Sequence, residues 1–163
     1  MSTKIYFDMD GTIYDLYSIP NWLELLRGEQ PTAFTTGERL FTDEFYKVVS
    51  TLMSRGVQFG VITWTPMQAS PEYEEICRAE KIAWCKEHLP FITSFVAQSY
   101  GTPKQQAIKS RTKNDILIDD NSDICKMWEN GKTRRAYQVT AQKNVTQILY
   151  EILYTLNKME RGE

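Results

Sequence analysis

The chain has 163 residues, which suits one domain, and is 42% hydrophobic and 12% aromatic, enough for a sizeable core. Nineteen Lys and Arg oppose twenty-one Asp and Glu, and a net charge of −2 gives no electrostatic case for general nucleic-acid or membrane binding. Three cysteines without a C-x-x-C pair argue against a disulfide framework or a structural zinc site; with no signal-like start and no run of roughly 18 apolar residues, the expectation is a soluble, reduced, cytoplasmic protein.

Residues 4–8, KIYFD, read as a short buried strand that stops at two aspartates, Asp8 and Asp10, followed at once by Gly11. Residues 15–41 hold Pro20, Gly28, Pro31 and Gly37 and read as a small cap insertion, with a short helix over 21–28. A stronger helix follows. Phe45, Val48, Val49, Leu52 and Met53 share one face, Thr42 can cap its start and Gly56 its end. VQFGVIT, 57–63, is a second buried strand. Ser70-Pro71-Glu72 opens a helix that runs to about His88, and FITSFVAQ, 91–98, is a third strand. Thr102-Pro103 opens a short helix. DILI, 115–118, is a fourth strand, stopped by Asp119 and Asp120, and Ser122 can cap a helix ending at Gly131. RAYQV, 135–139, is a fifth strand, and Asn144 caps a last helix with an apolar stripe from Val145 to Leu156. Alternating strands and helices, with strands apolar on both faces, predict a three-layer α/β domain over 1–163 built on a parallel sheet.

Ligands of such sheets bind at the carboxyl ends of the strands. There the sequence gathers Asp8, Asp10, Thr63, Thr65, Lys104, Asp119 and Asp120, with Asp123 close behind. Carboxylates so gathered need a cation, and an oxygen-only ligand set suits Mg²⁺, which keeps waters for a phosphate. Lys104 at a helix start adds positive charge, and a threonine hydroxyl can donate to a phosphoryl oxygen. Nucleophile, acid/base, metal and charge clamp make a phosphoryl-transfer set. Tyr14, Tyr17 and Trp22 can form either an aromatic wall for a nucleobase or the insertion's own core. The basic runs 109–113 and 132–135 read as solvated faces, His88 as structural, and the cysteines as ordinary thiols. An EF-hand is excluded because Gly11 stands at loop position four, and no Walker A or G-x-S-x-G motif is present.

DMDGT, the strand ending in Thr63, Lys104 and LIDDN, 117–121, resemble motifs I to IV of the haloacid dehalogenase-like (HAD) hydrolases, a Rossmann-like fold. The resemblance is greater to the 5′(3′)-deoxyribonucleotidase-like branch, through DMDG and 80–92, and to small phage and bacterial HAD-type phosphatases, through YFDMDGTI, NWLELLR and YGTPK. It implies a Mg²⁺-dependent phosphatase in which Asp8 becomes an aspartyl-phosphate and Asp10 handles the proton. Asp8, the backbone carbonyl of Asp10 and Asp120 would hold the metal, with Asp119 or Asp123 outside. Thr63, or else Thr65, would contact the phosphate. Lys104, or else Lys109, would be the motif III lysine. Gly11, Thr12, Tyr14 and Trp64 are further expected substrate contacts. The expected partner is a small phosphomonoester, first a nucleoside monophosphate. A polynucleotide end and a non-catalytic phosphate-binding module are the alternatives.

Overall fold

The structure, a computed structural model, describes residues 2–109, 112–130 and 135–162. Strand β1 (Lys4–Phe7) is the middle of a five-stranded, wholly parallel sheet. The order is β3-β2-β1-β4-β5, with β2 Gln58–Trp64, β3 Ser94–Gln98, β4 Asp115–Asp119 and β5 Arg135–Gln138. The chain steps outward from β1 to β2 and β3, then returns to the other side of β1 to lay down β4 and β5. The direction of winding therefore reverses between β1 and β4, where open α/β sheets leave a crevice. Phe7 pairs with Val61 on one side and Ile118 on the other, so the strand ends fall level.

Alternation along each strand separates two apolar layers. Ile5, Phe7, Phe59, Val61, Ile116 and Ile118 pack under α2 (Asp43–Ser54), α3 (Pro71–His88) and α5 (Val145–Arg161). Tyr6, Ile62 and Leu117 face the other way, onto Trp128 of α4 (Ser122–Glu129) and the short 3-10 helix Lys104–Ala107. The result is a three-layer α/β fold. No helix among the described residues is long and apolar enough to cross a membrane.

The caps follow the sequence with two corrections. Ser70 accepts from the Tyr73 N–H with Pro71 in the first turn, and Asn144 and Gln147 form a capping box. Helix α4 is capped by Asn121, whose side chain accepts from the N–H groups of Asp123 and Ile124, so Ser122 is its first residue and not its cap. Thr42 stands at the start of α2 without a side-chain capping bond, and Met53 is 44% exposed, off the buried face. The expected stop at Gly131 lies outside the described residues; α4 ends at Glu129, before a left-handed Asn130.

The segment 15–41, expected to be an insertion, contains one helix, α1 (Trp22–Arg27), with no buried residue. It is fastened through its loops. Tyr14 is fully buried; its hydroxyl donates to the Ala33 carbonyl at 2.9 Å and accepts from the Gly37 N–H at 2.7 Å. Glu80 of α3 accepts from the backbone N–H groups of Thr32 (2.5 Å) and Phe34 (3.2 Å).

Candidate active site

The chain leaves β1 in a tight turn. The Asp8 N–H still pairs with the Ile118 carbonyl, and the Met9 carbonyl accepts from the N–H groups of Thr12, Ile13 and Tyr14. Gly11 sits in this turn at φ 79°. A Cβ there would collide with the Asp120 carboxylate and the Tyr17 ring, so glycine is required by both conformation and space. Gly11→Ala is expected to cost about 1–2 kcal/mol from the left-handed backbone alone, a fall of roughly 2–8 °C in Tm. A thermal melt of the variant reads this fall.

Asp8 is buried and held on both oxygens. Oδ1 accepts from Lys104 Nζ at 2.5 Å and Oδ2 from Thr12 Oγ1 at 3.2 Å. Lys104, the first residue of the 3-10 helix, also donates to Asp119 Oδ2 at 2.6 Å and is 2% exposed. Burial pulls its pKa down, but Asp8 and Asp119 outweigh that, and the net shift is upward: the ammonium stays charged. Asp119 uses its second oxygen to accept from the Asn121 N–H. Among the described residues Asp120 makes no ion pair, though the Lys104 charge acts on it. Burial, with the Asp8 charge second, pushes the Asp119 carboxyl up to about 6 and the Asp120 carboxyl up to about 7.

Asp8, Asp119 and Asp120 each offer an oxygen, all within 4.8 Å of one another. The donor set is oxygen only, and the carboxylates here outnumber the cations. Among the described residues four acids (Asp8, Asp10, Asp119, Asp120) meet two lysines, so two negative charges are left over when all are ionised. A divalent hard cation matches both the ligand type and the residual charge.

Asp10 is held by a residue that sequence reasoning missed. Lys81 of α3 is fully buried, and its Nζ donates to Asp10 Oδ2 at 2.7 Å, Thr63 Oγ1 at 2.9 Å and the Trp64 carbonyl at 2.8 Å. The available signal was its position. Tyr73, Cys77, Lys81, Trp84 and Cys85 form the buried stripe of α3 at helical spacing, and a lysine in such a stripe requires an acid partner. Burial raises the Asp10 pKa, Lys81 opposing it. Burial also raises the thiol pKa values of Cys77, Cys85 and Cys125, so these cysteines are unreactive.

A cavity of about 510 Å³ opens over these strand ends, with Asp8, Asp10, Lys104, Asp119 and Asp120 in its wall. The insertion contributes Tyr17, Trp22 and Phe34, and the opposite side Trp64, Thr65 and Tyr100. Four expected contacts are not on this wall. Thr63 has the same parity as Phe59 and Val61, so it faces α3 and gives its oxygen to Lys81; Thr65, beyond the strand end, is the threonine that reaches the cavity. The Thr65 hydroxyl donates to Glu74 Oε1 at 3.0 Å. Tyr14 is packed between motif and insertion, while Gly11 and Thr12 shape the turn that holds Asp8. The Trp64 indole N–H donates to the Thr102 carbonyl, so it does not point at a ligand. Lys109 is exposed, leaving Lys104 as the lysine of the cluster; Asp123 is also exposed, beside Lys126, and plays no part in it. His88 packs on Trp84, away from the site.

No protein-family model matches the sequence, and no curated protein matches it. Several solved structures resemble it, and two of them follow. One is a chain of a Pnkp1/Rnl/Hen1 complex, at 14% identity and TM-score 0.54; the alignment spans 85% of this chain and 46% of that one, so this chain corresponds to less than half of that protein's length. The other is D,D-heptose 1,7-bisphosphate phosphatase from Burkholderia thailandensis, at 10% identity and TM-score 0.52, spanning 93% of this chain and 99% of that one. At these identities the likeness is one of architecture, the three-layer α/β fold with its parallel sheet.

Proposed function

We propose that the chain is a Mg²⁺-dependent phosphomonoester hydrolase of HAD type that acts on nucleoside monophosphates. The observation that carries this reading is the meeting of Asp8, Asp119 and Asp120 around one point, with Lys104 bridging the first two, at the reversal of strand order. A likeness in fold to a heptose bisphosphate phosphatase supports it.

Asp8, Asp120 and the Asp10 carbonyl would hold Mg²⁺, with Asp119 in the outer shell. The ion would supply the charge that lets a phosphate dianion approach this acidic wall. Lys104 steadies Asp8 and adds its own charge beside the phosphoryl oxygens. An Asp8 oxygen attacks phosphorus, forming an acyl-phosphate bond as the bond to the ester oxygen breaks. Asp10 gives its proton to that departing oxygen, releasing an alcohol. Asp10 then takes a proton from water as the water attacks the aspartyl-phosphate, which releases inorganic phosphate and regenerates Asp8. Thr65 and the Trp64 loop border the phosphate, and the aromatic side chains Tyr17, Trp22 and Tyr100 offer flat surfaces to a base.

A phosphomonoester panel with Mg²⁺ tests this. Nucleoside monophosphates and p-nitrophenyl phosphate should release phosphate, and EDTA should stop it. Faster turnover of sugar phosphates than of any nucleotide would reject the substrate class. Preference for a 5′-phosphorylated oligonucleotide would move the substrate to polynucleotide ends. Binding without turnover of any ester would sink the hydrolase reading and leave a phosphate-binding module.

A further inference from the structure

We propose that Lys81 is a positioning residue that anchors the carboxyl of Asp10 at the cavity wall and ties it to the segment 15–41 over the site. The inference rests on the phosphatase reading above.

An ammonium has three hydrogens and no acceptor capacity. All three are used, on Asp10 Oδ2, Thr63 Oγ1 and the Trp64 carbonyl, at 2.7 to 2.9 Å. Asp10 Oδ2 is thereby anchored. The Asp10 side chain is 19% exposed and borders the cavity, so the anchored carboxyl stands at the wall where an ester would bind.

The same lysine faces the insertion. The Phe34 ring, part of the cavity wall, lies 4.3 Å from Nζ, and the neighbouring Glu80 holds the N–H groups of Thr32 and Phe34. Two consecutive residues of α3 therefore fix the acid and the loop that closes over it. Cys77 and Cys85 flank Lys81 on the helix, and both stay neutral. An anchored carboxyl aims its proton without reorganising during the reaction.

The test is the leaving-group dependence of kcat/KM, which reports the steps up to release of the alcohol. Lys81→Met should lower kcat/KM about 100-fold for a nucleoside 5′-monophosphate, whose alkoxide must be protonated. It should lower it less than about tenfold for p-nitrophenyl phosphate, whose leaving group scarcely needs a proton. In an Asp10→Asn background, Lys81→Met should add no further loss. Thr63→Val, which frees one ammonium hydrogen but keeps the lysine, should show the same leaving-group pattern at smaller size. It serves if Lys81→Met does not fold. Lys81→Arg should recover part of the alkyl-ester activity. Equal losses on both esters, or additive losses in the double variant, would overturn the proposal while leaving the phosphatase reading intact. Wild-type protein inert on both esters would overturn that reading itself.

Discussion

Asp8→Asn is expected to abolish phosphate release, by about 10⁴-fold or more, because an amide cannot form the acyl-phosphate and the other groups act only through it. The substitution should leave the fold intact. Asparagine has the same shape, and its side-chain oxygen can still accept from Lys104. It also removes one of four carboxylates crowded into the site, and the Asp8 charge is one cause of the raised Asp119 and Asp120 pKa values. Metal-free Asp8→Asn should therefore melt no lower than wild type, which separates lost chemistry from lost structure. Retained turnover on p-nitrophenyl phosphate would remove Asp8 as nucleophile. Asp10→Asn should behave differently. With the aryl ester, Asp8 is still phosphorylated, but water attack lacks its base, so a burst of p-nitrophenol followed by slow turnover is expected.

The strands were legible because they are buried on both faces. KIYF, DILI and VQFGVIT have no polar face, a pattern that fits only a sheet covered on both sides. Their polar stops then mark the carboxyl edge without further information, and Asp8, Asp119 and Asp120 meet as that logic requires. Thr102-Pro103 likewise led to Lys104. Parity decided the rest. Thr63 is two residues too early to reach the edge, and no motif spacing shows on which face of β2 its hydroxyl lies until the register with Phe59 and Val61 is known. Tyr14 was ambiguous because an aromatic residue after the motif can pack inward or outward; the close approach of Gly37 to its ring decides for inward. Lys81 was hidden by habit, since a lysine in an eighteen-residue helix is normally read as a solvent-facing position. Only the collision of its position with the stripe of Tyr73, Cys77 and Trp84 marks it as buried. Strand order is a matter of long-range pairing, which local patterns do not contain.

Mg²⁺ is expected to stabilise the protein strongly at neutral pH and weakly at acidic pH. In the metal-free protein, the Asp119 and Asp120 carboxyls titrate near 6 and near 7, against 3.8 for an ordinary aspartate. Folded-state values above the unfolded ones mean that, between about pH 4 and 7, the folded chain holds protons that the unfolded chain has released. Stability is then greatest on the acid side and falls as pH rises through that window. The Asp10 shift has the same sign. Lys104 does not offset this. Its folded value lies above the ordinary 10.5, so its contribution is already complete throughout the window. A divalent cation binds the ionised carboxylates and replaces the missing charge. At a concentration of 100 Kd it contributes about 2.7 kcal/mol, a rise of roughly 5–10 °C in Tm for a chain of this size. At pH 5, on the acid side of both raised carboxyls, protons compete with the metal, and the rise should shrink. Asp120→Asn should flatten the metal-free pH dependence, because it removes a carboxyl whose pKa burial raises, and should abolish most of the Mg²⁺ shift. Melts at pH 5.0 and 7.5, with and without Mg²⁺, check all of this. An equal Mg²⁺ shift at both pH values, or a full shift in Asp120→Asn, would place the metal elsewhere than between Asp8 and Asp120.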